Sequence, residues 1–285
     1  MKKNLRNFLY IIFIINLTAC ASLVDSATTR LTNNLQSAIA NHDDPETIES
    51  ALPGYMLLID SLVVGEPENP NTLMAAANLY GTFNGGFNTD EPRAKRLAKR
   101  SFEYASKAIC IEIPDFCTIR KLKLLAIKGI LETIELDQLS KLYDFGSSWA
   151  GYIQTHTDDW SALADLPRLT AVFETCVELD ETHDNGGAHL YLAVLASQLP
   201  PSLGGKPEIG LAHFDRARVL SNSKNLMIDV LEAKFYARLI FDQELHDELL
   251  DKVIDDQTVH QDLVLINALA RQQAILLRSE SEEFF

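Results

Sequence analysis

Cys110 and Cys117 stand seven residues apart around the helix-ending segment IEIPDF. At that spacing the chain can fold back and oxidise the two thiols to a disulfide, or leave them as two small buried groups. Cys176 has no neighbour in sequence that could serve as a base, so its thiol reads as core filling and not as a nucleophile. His183 and His189 lie six apart across an Asn-Gly-Gly turn, a poor spacing for two ligands on one helix face, and His189 and His213 read as packing or surface groups. Asp158-Asp159 lacks the alternating ligands and central glycine of a calcium loop, and helix capping accounts for it more simply. The pairs Gly85-Gly86 and Gly204-Gly205 have no strand before them, as a nucleotide loop would require, and suit tight turns. No HExxH, P-loop, GxSxG or paired CxxC occurs. The Glu-Ser contexts at Glu49-Ser50 and 280–282 do not supply the buried catalytic glutamate of a cell-wall hydrolase. The expectation is a protein without metal, cofactor or enzymatic activity.

Cys20 carries the one covalent chemistry that the pattern does favour. Lys2, Lys3 and Arg6 form a basic head, an apolar run extends from Phe8 to Ile15, and Leu17-Thr18-Ala19-Cys20 follows. That order is a secretory signal, and the run is far short of the roughly 20 residues a transmembrane helix needs. The last four residues resemble a bacterial lipobox. The expectation is a signal peptide over 1–19 and a mature chain over 20–285, with its lipid on Cys20. Ala21 in place of aspartate favours the periplasmic side of the outer membrane.

Charge excludes several partners. The formal net charge is −15, and removing Lys2, Lys3 and Arg6 leaves 22 basic against 40 acidic residues, or −18. Such a chain repels nucleic acid and anionic lipid, so attachment to a membrane must come from the lipid alone. With 47% apolar residues over 285 positions there is ample material for a core.

The elements that must position these residues are helical almost throughout. Leu23, Leu31, Leu35 and Ile39 form one apolar stripe. Capping residues before proline announce helix starts at Asp44-Pro45, at Asn69-Pro70 and at Asp90 shortly before Pro92. Further helices are predicted over about 71–83, 91–110, 117–133, 135–156, 167–180, 186–199, 207–220, 225–241, 243–255 and 260–278. No alternating β-branched stretch bounded by turn signals occurs. The fold class is therefore all-α, an array of about a dozen antiparallel helices forming one repeat domain over 20–285.

Within that array FETCVELD at 173–180 resembles the close of a tetratricopeptide repeat, with Phe173 and Cys176 packing between adjacent helices. The same pattern recurs as Ala98, Phe102, Ala105 and as Gly210, Phe214, Ala217. From Phe173 to Phe214 is 41 residues, and the excess over the usual 34 matches the PPSLGGK segment at 200–206, read as an inserted loop. Aromatic and small residues at helical spacing also suit any helix bundle.

A more specific similarity spans most of the mature chain. LPGYMLLIDSLVVGEPENPNTLMAAANLYGTFNGGF at 52–87, ADLPR at 164–168, HLYLAVLASQLPPSLGG at 189–205 and the HF-x-RA helix at 213–217 resemble the T components of tripartite ATP-independent periplasmic (TRAP) transporters. The resemblance implies a lipid-anchored helical subunit with cryptic tetratricopeptide repeats, a homotrimer with a channel or cavity, and association with the substrate-binding P component. Cys110, Cys117 and the phenylalanine-ended acidic tail depart from the pattern. The loops at 84–92 and 200–207 border Tyr80, Phe83, Phe87 and Tyr191, which with Gly204 and Gly205 are the residues expected near a ligand cavity; core packing is the alternative for the aromatics. A helical-repeat scaffold for envelope assembly is the competing functional reading.

Overall fold

The computed structural model describes residues 30, 34–87 and 90–285. The chain clusters into two units, 1–39 and 40–285. Of the first, residues 34–39 are helical; the signal segment, Cys20, Leu23 and Leu31 lie outside the described residues. The second unit is an all-helical array with no strand among the described residues, and fourteen α-helices run from Pro45 onward.

Their order is α1 (Pro45–Gly65), α2 (Pro70–Phe87), α3 (Glu91–Glu112), α4 (Leu124–Leu131), α5 (Leu139–Thr155), α6 (Trp160–Leu163), α7 (Leu166–Asp180), α8 (Gly187–Ser197), α9 (Pro207–Leu220), α10 (Met227–Leu231), α11 (Arg238–Ile240), α12 (Gln243–Asp255), α13 (Val264–Ser279) and α14 (Ser281–Phe284). The predicted starts are capped as their residue types require. Asp44 accepts from Glu46 N–H at 3.0 Å, Asn69 from Asn71 N–H at 3.0 Å and Asp90 from Arg93 N–H at 2.7 Å. Each carboxylate or amide oxygen satisfies a first-turn donor that the helix cannot.

Apolar residues at helical spacing then choose the neighbours. Ala98, Phe102, Ala105 and Ile109 put one buried stripe on α3, which packs on α2 and α5, while α5 packs on α7 and α7 on α8. The main core joins Leu73, Ala105, Ile109, Phe145, Trp149, Phe173 and Cys176. A second core gathers Leu226, Val230, Ala233, Leu250, Val253, Ala270 and Leu277, and Ala193, Phe214, Ala217 and Ile228 fill the seam of α8 and α9. Asn41 and Asp262 exchange hydrogen bonds of 2.8 and 2.7 Å, and α13 touches α1, so the first and last helices of this unit meet.

Two predicted helices are broken. Over 117–133 the chain instead makes a 3-10 segment, Pro114–Lys121, that bends at Thr118 (φ −124°) and is followed by α4. The Arg168 guanidinium takes the Leu122 carbonyl at 3.0 and 3.3 Å, holding that residue extended (ψ 154°) and out of any helix. Cys110 and Cys117 are joined as a disulfide across the end of α3, with Cα atoms 4.6 Å apart. Over 225–241, α10 passes into a π-helical turn, Glu232–Ala237, before α11 ends on Phe241 at φ 58°. The α8 start is fixed by three left-handed residues in a row, Asp184, Asn185 and Gly186 (φ 49°, 55° and 84°). Asp and Asn tolerate that region, while a Cβ at Gly186 would meet Leu220 at 2.9 Å.

Candidate functional site

Residues from five elements converge on one polar and aromatic wall. Helix α5 supplies Tyr143, Asp144 and Ser147, α7 supplies Phe173 and Cys176, the left-handed turn supplies Asp184, α8 supplies Tyr191, and Asn78 of α2 bonds Asp144. The Tyr143 hydroxyl donates to Asp184 Oδ2 at 2.6 Å. The rings of Phe173 and Tyr191 stack at 4.3 Å, and Tyr143 meets both edge-on at about 6 Å, with His183 against its other side at 5.1 Å. Close fit explains two glycines: a Cβ at Gly146 would come within 3.0 Å of Phe173, and one at Gly187 would strike the Tyr143 hydroxyl.

The electrostatics of the wall come from burial without cations. Burial pushes the Asp144 carboxyl up to about 6, helped by Asp184 and opposed by the hydrogen bond from Asn78. It raises the Tyr143 and Tyr191 hydroxyls above their ordinary range, again with Asp184 adding to the shift. The Cys176 thiol is pushed up to about 12, by burial and then by Asp144, so it stays protonated and unreactive at neutral pH. Yet Tyr143, Asp144, Ser147 and Tyr191 all keep partial solvent contact. For Tyr143, Asp144 and Tyr191, half-buried as they are, burial is the largest cause of the shift. Chemically the half-buried part of the wall offers carboxylate and phenol oxygens and the Tyr191 ring, with Phe173 fully buried and stacked against that ring.

A pH test follows from the raised Asp144 value. A carboxyl that binds its proton more tightly folded than unfolded contributes stability that is present below the unfolded value near 3.8 and lost as pH rises through about 6. Urea midpoints of the wild type should therefore fall relative to those of Asp144→Asn between pH 4 and pH 7. Parallel pH profiles would refute the burial.

The other residues singled out in the sequence are placed as follows. Tyr80 is buried, and its hydroxyl and that of Tyr104 both donate to Asp60 at 2.8 Å, with Arg100 on the same carboxylate at 2.9 Å. Phe83 is buried under Arg93, and Phe87 leans on Phe83 at 6.3 Å. Gly204 turns at φ 92°, and the next residue, Gly205, leaves no room for a Cβ beside the Leu199 carbonyl. Only Tyr191 of these belongs to the wall. Ala98, Phe102, Ala105, Phe173, Cys176, Gly210, Phe214 and Ala217 are all buried at helix seams.

Two constellations have no counterpart in the sequence pattern. Asp165 of ADLPR is buried and accepts from Arg120 at 2.5 Å and from Arg168 and Trp149 Nε1 at 3.3 Å, so that motif is a structural knot. His189 and His213 meet Nδ1 to Nδ1 at 2.8 Å across the α8–α9 seam, beside the Glu181–Arg216 ion pair. His189 Nε2 sits 3.3 Å from the Glu181 carboxylate and must donate to it, so the neutral pair has His213 Nδ1–H donating to His189 Nδ1. Burial holds both imidazoles below their ordinary range, His189 acting further on His213. No sequence signal links residues 24 apart in this way. For the wall, the signal was present in YDFGSSW at 143–149, where an aspartate stands inside an apolar helical face.

These features define a class: a disulfide-bearing helical array whose polar groups tie helices together and meet in one half-buried wall. Residues 41–285 match the family described as TAtT, TRAP transporter T-component. The chain belongs to that family and is a T component of a TRAP-type transport system. A search of curated protein sequences returns no match.

Proposed function

We propose that this chain acts without chemistry, as a lipid-anchored T subunit on the periplasmic side of the outer membrane. It assembles as a homotrimer, docks the substrate-binding P component, and conducts a small organic or hydrophobic solute past the wall of Tyr143, Asp144 and Tyr191. The observation that carries the solute-handling reading is the wall itself, whose groups reach solvent while burial governs their ionisation. The tetratricopeptide-like reading of the helix pairs rests on buried Phe102, Phe173 and Phe214 with small partners. Lipid attachment rests on Leu17-Thr18-Ala19-Cys20.

Sedimentation of the detergent-solubilised protein, alone and mixed with the P component of the same transporter, tests the assembly. A trimer and a mixed complex are expected; a strict monomer at tens of micromolar with no mixed complex leaves the envelope-scaffold reading, which the 84%-exposed Trp160 would serve as a docking side chain. For the anchor, Cys20→Ala should accumulate as unprocessed or mislocalised protein with a normal melt. Mass spectrometry of the native chain showing an amino terminus other than acylated Cys20 would overturn it.

A further inference from the structure

The π-helical turn Glu232–Ala237 and the residue after it hold an incompletely satisfied cationic pair. In a chain with 40 acidic and 25 basic residues, half-buried cations find acceptors: Arg218 holds Asp215, Asp229 and Glu232, Arg216 holds Glu181, Lys141 holds Glu112, and Arg271 bonds the Asp256 carbonyl. Lys234 is the exception. Among the described residues it is the one half-buried cation with neither an ion pair nor a hydrogen bond, and its ammonium sits 5.5 Å from the Phe235 ring centre. Burial, and then the neighbouring Arg238, hold its pKa below the ordinary lysine range, with only Glu280 opposing.

Arg238, four residues on, is also incompletely satisfied. Its Nε donates to His246 Nε2 at 3.3 Å and its guanidinium lies 4.3 Å from the Phe284 ring centre, which fixes its plane. Its Nη2 is sealed from solvent with no hydrogen-bond acceptor. The nearest carboxylate is Glu280 Oε2 at 3.6 Å, an ion-pair distance that is too long for a hydrogen bond, on a side chain 48% exposed. Lys234 stands inside the π-helical turn Glu232–Ala237 and Arg238 follows it directly. Such turns are rare inside regular helices and are found frequently at functional sites.

A half-buried ammonium with no protein partner, next to a sealed guanidinium N–H and one loosely held glutamate, leaves positive charge that an anion from outside would complete. Nε is already engaged, so the open donors are the Nη N–H groups and the lysine ammonium, a planar fork beside a point cation that suits a carboxylate. Phe235 and Phe284 flank the two cations with ring faces that suit an apolar body. We propose that Lys234 and Arg238 form a receptor for a monocarboxylate carried on an apolar or aromatic body, with Glu280 as the internal placeholder that the ligand displaces.

The test is calorimetric titration of the detergent-solubilised full chain with phenylacetate and with neutral phenylacetamide. Phenylacetate should bind saturably and phenylacetamide should not. Lys234→Met should weaken phenylacetate about tenfold or more, the loss expected for one charge-assisted hydrogen bond. Glu280→Gln, which removes the competing carboxylate from a half-exposed position, should tighten it severalfold, and this variant decides the matter even if Lys234→Met folds poorly. Equal binding of the amide, no binding of phenylacetate at millimolar concentration, or an affinity that Glu280→Gln leaves unchanged or lowers would overturn the proposal. None of these outcomes depends on trimer formation or on the P component.

Discussion

Phe214→Ala should lower the unfolding free energy by about 3–5 kcal/mol, the usual cost of emptying a fully buried phenylalanine site. The ring has no solvent exposure and fills the α8–α9 seam between Ala193, Ala217 and Ile228. The opposite error at the same seam should also register. Ala217 is 1% exposed, and its Cα lies 3.4 Å from the point a Cβ on Gly186 would occupy. Ala217→Leu must therefore push the left-handed turn away, at about 1–3 kcal/mol. Urea unfolding of both variants checks this; wild-type midpoints for both would mean that the seam is not where the stability resides.

Asp165→Ala should cost a similar amount, about 3–5 kcal/mol, because removing one member of a buried ion-paired group leaves its partners desolvated and unpaired. The carboxylate is 3% exposed, and its loss strands the indole N–H of the fully buried Trp149 and the Arg120 guanidinium, while Arg168 keeps the Leu122 and Ala164 carbonyls. Arg120 is one-third exposed and recovers some hydration, which places the expectation toward the lower figure. Asp158→Ala is the control. Its ion pair with Lys95 at 2.9 Å is exposed on the aspartate side at 71%, so it should change stability by less than about 1 kcal/mol. Equal effects from Asp158 and Asp165 would show that burial of the knot does not set its worth.

The contrast between those two aspartates separates the features that short-range spacing encodes from those that it does not. Capping, helix periodicity and the small-residue seams are local: Asp44, Asn69 and Asp90 announce helix starts through their own backbone, and Ala98, Phe102 and Ala105 declare one buried face by their spacing. Asp158-Asp159 is assignable to capping for the same reason, and Asp159 does accept from Ser161 N–H at 2.8 Å. Asp165 has the same side chain but a different role, because Arg120 reaches it from 45 residues away.

By itself, therefore, the sequence determined the all-α class, most helix starts, the buried residues of the repeat-like seams and the T-component family, since each is carried by short-range spacing or by contiguous motifs. Only the tertiary structure decided where helices break and which polar groups meet. The 117–133 segment has helical periodicity throughout, yet a guanidinium from α7 draws the Leu122 carbonyl out of it. Tyr143, Asp184 and Tyr191 form one wall, and His189 meets His213, because α5 packs on α7, α7 on α8 and α8 on α9, with a left-handed turn leading into α8. The physical reason is common to all of these. Burial and electrostatic coupling depend on distances across helix pairs, and one-dimensional spacing carries no information about which pairs will touch.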